Sequence, residues 1–167
     1  MRLVLDSTPL IYFAKIGLIE KLGRLKAEKI IPSHVFHEVV EKGKEANKPD
    51  SFIIEKFVRV GRCRIEKSDI PEAFLQYSRM TTADAETLEL ARKFSGIAII
   101  DDSYLRTVAE YESIDYRGSI FLLFRLYEEK LIKRGEIKYY LDTMISHGWR
   151  CSTELYVLML NEINKLA

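Results

Sequence analysis

Cysteine is scarce in this chain. Cys63 and Cys151 are the two present in 167 residues; they lie far apart and form no Cys-x-x-Cys, so both thiols are expected to be reduced and idle, as in a cytosolic protein. Long hydrophobic runs are missing too. No stretch reaches the roughly 18 apolar residues that would cross a bilayer. Met1 leads straight into an apolar segment, which leaves no room for a signal peptide, so a cytoplasmic protein without a membrane partner is expected. Nor is there an excess of one charge. Against 26 Lys and Arg stand 25 Asp and Glu, a net charge of +1, so any nucleic-acid partner must be held by a local patch rather than a global field. Gly-x-x-x-x-Gly-Lys, Gly-x-Gly-x-x-Gly and Gly-x-Ser-x-Gly are all absent, which removes the common nucleotide cradles and the nucleophile elbow.

What is present reads as an ordinary globular composition, 47% hydrophobic and 31% charged, in a chain long enough to bury a core without staples. Leu3-Val4-Leu5 is a short apolar run that stops at Asp6, with helical spacing from about Pro9 to Leu22 and a break at Gly17. Lys29–Ile31 reads as a strand ending at Pro32. Ser33 then opens a helix whose apolar face is Val35, Phe36, Val39 and Val40. Residues 43–51 read as a loop, 52–58 as a helix, 62–66 as a strand and 68–80 as a helix. Ala83–Phe94 is a well-patterned helix, followed by a buried strand at Ile97–Ile100 that also ends in acid, Asp101-Asp102. A helix marked by Leu105 and Val108, a strand near Ile114–Tyr116 and helices over 119–131, 136–146 and 152–166 complete the chain, with the last helix directed at the core. Strands repeatedly separated by helices predict a three-layer α/β/α fold around a mainly parallel sheet of four to five short strands. No repeat or linker divides the chain, so one domain over residues 1–167 is expected, with a C-terminal helical extension from about 119.

In open α/β sheets chemistry collects beyond the carboxyl ends of the strands. Two buried strands ending in Asp are therefore informative. If they are neighbours, their ends lie about 5 Å apart, and Asp6 could share a cation with Asp102 or with Asp101. Carboxylates that close repel without a counter-ion, and oxygen-only ligands select a hard ion such as Mg²⁺ or Mn²⁺. Each acid has a plainer reading. Asp6 and Asp102 sit where they could cap the helices that follow. Asp84 completes a Thr81-x-x-Asp84 capping box, and Glu86 shares its first helical turn. Glu38 is not separated from Glu41 by periodicity. His34-x-x-His37-Glu38 has the spacing of one helix face, but lacks the His-Glu-x-x-His order of a zinc site.

Taken together these segments resemble the PIN domain family, in its VapC-like branch and an archaeal and bacterial subgroup of it. Leu3-Val-Leu-Asp6-Ser7-Thr8-Pro9-Leu10 is similar to the family's opening strand and first acid. Ile31-Pro-Ser-His-Val-Phe-His-Glu38-Val-Val is similar to its helical Glu segment, and Ala83-Asp84-Ala85-Glu86 to the subgroup's Gly-Glu-x-Glu stretch. Ile99-Ile-Asp101-Asp102-Ser-Tyr-Leu-Arg106 resembles its Asp-Asp-x-x-x-Arg block, Gly118-Ser119 its Gly-Thr before a helix, and Lys130-Leu-Ile132 the segment that follows. Ala83 departs from the subgroup's Gly, and Tyr104 stands where many VapC-like members carry a further acid that would help hold a second metal.

The resemblance implies an endoribonuclease that uses Mg²⁺ or Mn²⁺ on single-stranded RNA, with Asp6, Glu38, Glu86 and Asp102 as the catalytic acids. Asp84 and Asp101 join them as metal-binding candidates, Glu86 being favoured over Asp84 by the wider VapC pattern. It also implies a homodimer and a small antitoxin-like protein partner, with the chain as the toxin half of a toxin–antitoxin pair. Ser7 and Ser119 would position water or a phosphate oxygen, and Arg106 lies next to the acids. A PIN-fold RNA-binding or scaffold protein with little cleavage is the alternative from another class. Thr8 stands where the related phosphatases need a second Asp, and the late acidic pair does not suit a receiver domain.

Overall fold

The first strand, β1 (Arg2–Leu5), sits at the centre of everything that follows. Leu3 and Leu5 enter one apolar cluster and Val4 the other, all three fully enclosed. A strand buried on both faces reads as a continuous apolar run rather than an alternation. Enclosing each of these side chains contributes about 1.5–3 kcal/mol. The structure, a computed structural model, describes residues 1–166; Ala167, the end of the expected domain, lies outside the described residues.

From β1 the chain passes through α1 (Ser7–Lys15) and α2 (Ile19–Arg24) to β2 (Glu28–Pro32). Then come α3 (Ser33–Phe36), a π-helical turn over His37–Glu41, α4 (Lys42–Glu45) and α5 (Pro49–Arg59), leading to β3 (Arg64–Glu66). The short α6 (Glu72–Leu75) and the longer α7 (Thr82–Lys93) lead to β4 (Ile97–Ile99), and α8 (Ser103–Tyr111) leads to β5 (Tyr116–Arg117). Helices α9 (Ser119–Glu128), α10 (Arg134–Ser146) and α11 (Thr153–Lys165) follow. The sheet order is β3-β2-β1-β4-β5 and every pairing is parallel, so all strand carboxyl ends share one rim. This is the three-layer α/β/α fold the pattern predicts.

One cluster joins Leu3, Leu5 and Ile31 to Leu10 and Phe13 of α1, Phe57 of α5, Leu122 and Leu126 of α9 and Leu141 of α10. The other joins Val4, Ile30 and Ala98 to Leu88 of α7 and Leu105 and Val108 of α8. Lys29 is buried within β2, where its ammonium donates to the carbonyls of Gly23 and Leu25 at 3.0 and 2.9 Å. It thereby satisfies carbonyls at the α2 terminus, and burial lowers its pKa. Among the described residues no helix is long and apolar enough to cross a membrane.

Three sequence expectations are corrected. The polar 43–51 stretch is mostly helical: α4 runs to Glu45, and Pro49 occupies the first turn of α5, where its missing N–H costs nothing. Only Glu72–Leu75 of the 68–80 stretch is helical. Finally, α11 contributes little to the core. Ile163 is its one buried residue, while Leu155 and Met159 only lean on the first cluster and Leu158 is 51% exposed. Its C-terminal end is held instead by Arg134, whose guanidinium donates to the carbonyls of Ile163 and Asn164.

Candidate active site

The register of the central strands determines which acids meet. Leu5 pairs with Ile99, and the Asp6 N–H continues the ladder by donating to the Ile99 carbonyl at 3.2 Å. Asp6 occupies the N-cap position of α1, yet its side chain makes no cap hydrogen bond, so capping does not account for it. It is 6% exposed. Burial pushes its carboxyl up to about 7; the Ser7 N–H opposes this, and the charges of Asp84, Glu38 and Asp101 add to it. These three acids are therefore its electrostatic neighbours at the rim.

Each neighbour is held by its own element. Glu38 lies on the π-helical turn, where its Oε2 accepts from the Ser7 hydroxyl at 3.2 Å. Glu41, which the sequence could not separate from it, instead pairs with His37 at the surface. Asp84 closes the predicted capping box: its carboxylate accepts from the Thr81 N–H at 2.8 Å and its own N–H donates to the Thr81 hydroxyl at 3.1 Å. It is thus both a cap and a neighbour of Asp6. Asp101 is the most firmly fixed. Its carboxylate accepts from the Ser119 N–H at 2.8 Å, the Ser119 hydroxyl, and the Trp149 indole N–H at 2.9 Å, with an Arg106 guanidinium nitrogen at 3.4 Å. Gly118 makes room for this packing, because a Cβ there would collide with an Arg106 nitrogen and stand 3.0 Å from an Asp101 oxygen.

Asp102 takes the capping position the sequence also allowed, and Glu86 lies apart from Asp6. The Asp102 Oδ1 caps α8 by accepting the Leu105 N–H at 2.8 Å, leaving Asp101 as the acid that faces Asp6. Asp102 still borders the neighbouring cavity, about 450 Å³, with Asp101, Thr8, Tyr12, Trp149 and Arg150. Glu86 lies two residues beyond Asp84, about 200° around the helix, and points away from Asp6. It is fully enclosed. Its carboxylate accepts from the His34 N–H at 2.8 Å, the Ser33 hydroxyl at 2.9 Å and the Ser68 N–H at 3.1 Å, and meets the His34 Nδ1 at 3.0 Å. Burial raises its pKa, but the hydrogen bonds from His34, Ser68 and Ser33 outweigh it and the net shift is downward. Glu86 therefore ties α7 to the start of α3 and to the loop at Ser68.

The donor chemistry fits a hard divalent cation: carboxylate oxygens alone, one of them with its pKa raised by burial and further by its charged neighbours. The side chains surround the rim without closing on one point. Among the described residues no group of three or more His, Cys, Asp or Glu is placed to hold a metal ion. The neighbours of Asp101 could not have been read from the sequence beyond Arg106 and Ser119. Trp149 lies 48 residues away, on a turn that carries no local signal.

The fold and this rim define a parallel α/β protein with a carboxylate site at the strand ends. Residues 2–165 match the family model DUF3368, a PIN domain, and the chain belongs to the PIN domain family, whose members are generally nucleases. Among solved structures, a domain of a functionally unknown protein from Methanocaldococcus jannaschii DSM 2661 is similar at 18% identity, covering 70% of this chain and 89% of that one, with a TM-score of 0.48. No curated protein matches.

Proposed function

We propose that this chain is a metal-dependent endoribonuclease of the PIN type, acting on single-stranded RNA. The observation that carries the reading is Asp6, buried at the end of the central strand with Glu38, Asp84 and Asp101 as its charged neighbours. Asp6, Glu38, Asp84 and Asp101 are the residues that would hold Mg²⁺ or Mn²⁺, and PIN domains usually use divalent metals. A bound ion of this kind supplies Lewis acidity and a water of lowered pKa. The chain supplies orientation. Ser7 sets the Glu38 carboxylate, Thr81 sets Asp84, and Ser119, Trp149 and Arg106 fix the plane of Asp101. A splayed single strand lets a phosphate reach the rim that a duplex would hold away.

The test is cleavage of end-labelled single-stranded RNA by the wild type and by Asp6→Asn, with Mn²⁺ or with chelator. Cleavage is expected only by the wild type with metal. Intact RNA in every lane would discard the nuclease reading. One observation favours the second reading, an RNA-binding protein with little turnover: both Asp101 oxygens are already engaged by protein donors. In that case RNA is bound and left uncut. The likeness to the VapC branch supports extending the proposal to a toxin with a small protein antitoxin and to a homodimer. Growth arrest on induced expression and light scattering test these two extensions.

A further inference from the structure

The Glu86 carboxylate, set apart from the acids of the rim, holds His34 in one orientation. The His34 backbone N–H and ring Nδ1 both lie on Glu86 Oε2, at 2.8 and 3.0 Å, and the Ser33 hydroxyl and Ser68 N–H complete the shell. A fully enclosed carboxylate with so many donors is ionised and can only accept. Nδ1 must therefore carry the ring hydrogen, which leaves Nε2 of the neutral ring as an acceptor. The His34 side chain is 41% exposed, and no protein group among the described residues engages Nε2. His34 also stands four residues before Glu38, about 6 Å back along the axis, in the helical segment that runs on into the π-helical turn. Glu38 belongs to the rim through Ser7 and Asp6. An outward, pre-set acceptor thus stands on the segment that carries Glu38, about one helical turn before it.

Resting on the nuclease reading above, we infer that His34 is a specificity-determining residue, whose Nε2 accepts a hydrogen bond from a ribose 2′-hydroxyl of the bound strand. That hydroxyl is the donor that distinguishes RNA from DNA. A phosphate offers no hydrogen to such an acceptor, and a deoxyribose offers none at that position. Glu86 acts through the ring as a positioning residue. Its enclosure and its shared donors keep the imidazole from rotating away.

The experiment measures binding of fluorescein-labelled single strands, RNA and DNA of one sequence, by anisotropy. It is run with Ca²⁺ as the oxygen-seeking cation at pH 8, above the ordinary imidazole range. The wild type is expected to prefer RNA by about five- to tenfold, the worth of one well-placed hydrogen bond. His34→Asn keeps a donor toward Glu86 but removes the outward nitrogen. It is expected to bind RNA only as tightly as the wild type binds DNA, with DNA affinity unchanged. A merely structural role would lower both affinities together and leave their ratio intact. If His34→Asn melts more than a few degrees early, His34→Gln decides, because its amide oxygen reaches the Nε2 position. A retained RNA preference then supports the inference, and a lost one overturns it. Equal binding of both strands by the wild type, or a preference untouched in His34→Asn, overturns the inference while leaving the nuclease reading standing. Failure of the wild type to bind either strand removes both.

Discussion

Two carboxylates of this chain are buried for opposite purposes, and pH separates them. Asp6 has its folded pKa raised, from 3.8 to about 7. Burial then costs nothing while the group is protonated in both states, begins to destabilise above about pH 4, and reaches its full cost above about pH 7. At 1.36 kcal/mol per pKa unit the cost is on the order of 4 kcal/mol in the absence of metal. Asp6→Asn is accordingly expected to be more stable than the wild type in chelator at pH 8 and to lose that advantage near pH 4, as read by urea denaturation. Mn²⁺ should raise the wild-type melting temperature and leave the variant's unchanged. A wild type as stable as the variant at pH 8 in chelator would falsify the burial account. Glu86 behaves in the reverse sense. Its folded pKa is lowered, so its contribution is present above the ordinary value of 4.5 and fades as pH falls through the folded value. Glu86→Ala strands the Ser33 hydroxyl and the N–H groups of His34 and Ser68. A loss of about 3 kcal/mol is expected at pH 7, readable in the same denaturation series.

At the scale of elements, what the sequence could and could not show follows from periodicity. A buried strand ending in acid is visible at Leu3–Asp6 and at Ile97–Asp102, because strand and punctuation are local. Which acid of the second pair meets Asp6 depends on a register of one residue, Leu5 to Ile99, and no local pattern encodes that. Asp102 caps α8 through one oxygen, and Asp101 is the acid of the pair whose charge acts on Asp6. The same limit applies on α7. Asp84 and Glu86 share a first turn, and only the packing of α3 against that helix shows which face each one serves. Asp102→Ala is thus expected to cost about 1 kcal/mol of stability, the ordinary worth of an N-cap, with Mn²⁺ affinity by calorimetry within twofold of the wild type. Asp101→Asn should weaken that affinity at least tenfold. Equal losses from the two variants would place Asp102 back in the site. The 43–51 stretch shows a different limit: its polar residues mask two helix ends, and Pro49 marks a start where composition suggested a loop.

At the scale of the molecule, the alternation of strands and helices was enough to give a parallel sheet with helices on both faces, because that inference needs only the order of elements. The arrangement of the three C-terminal helices was less accessible. Helix α11 meets the core along one face, Leu155, Tyr156, Met159 and Ile163, but only Ile163 is buried, and Val157 and Leu158 are left half exposed. Nor does net charge indicate where a ligand would go, since cations and anions balance over the whole chain and the acids gathered at the rim are cancelled in that sum. One link from the C-terminal region to that rim has a practical consequence. Trp149 is the one tryptophan of the chain, and its indole N–H rests on Asp101. The tryptophan emission of the protein, excited selectively on the red side of tyrosine absorption, is therefore generated next to the acids, and paramagnetic Mn²⁺ arriving there should quench it in proportion to occupancy. The molecule carries its own optical gauge of the site, needing no label, and Trp149→Phe would silence it.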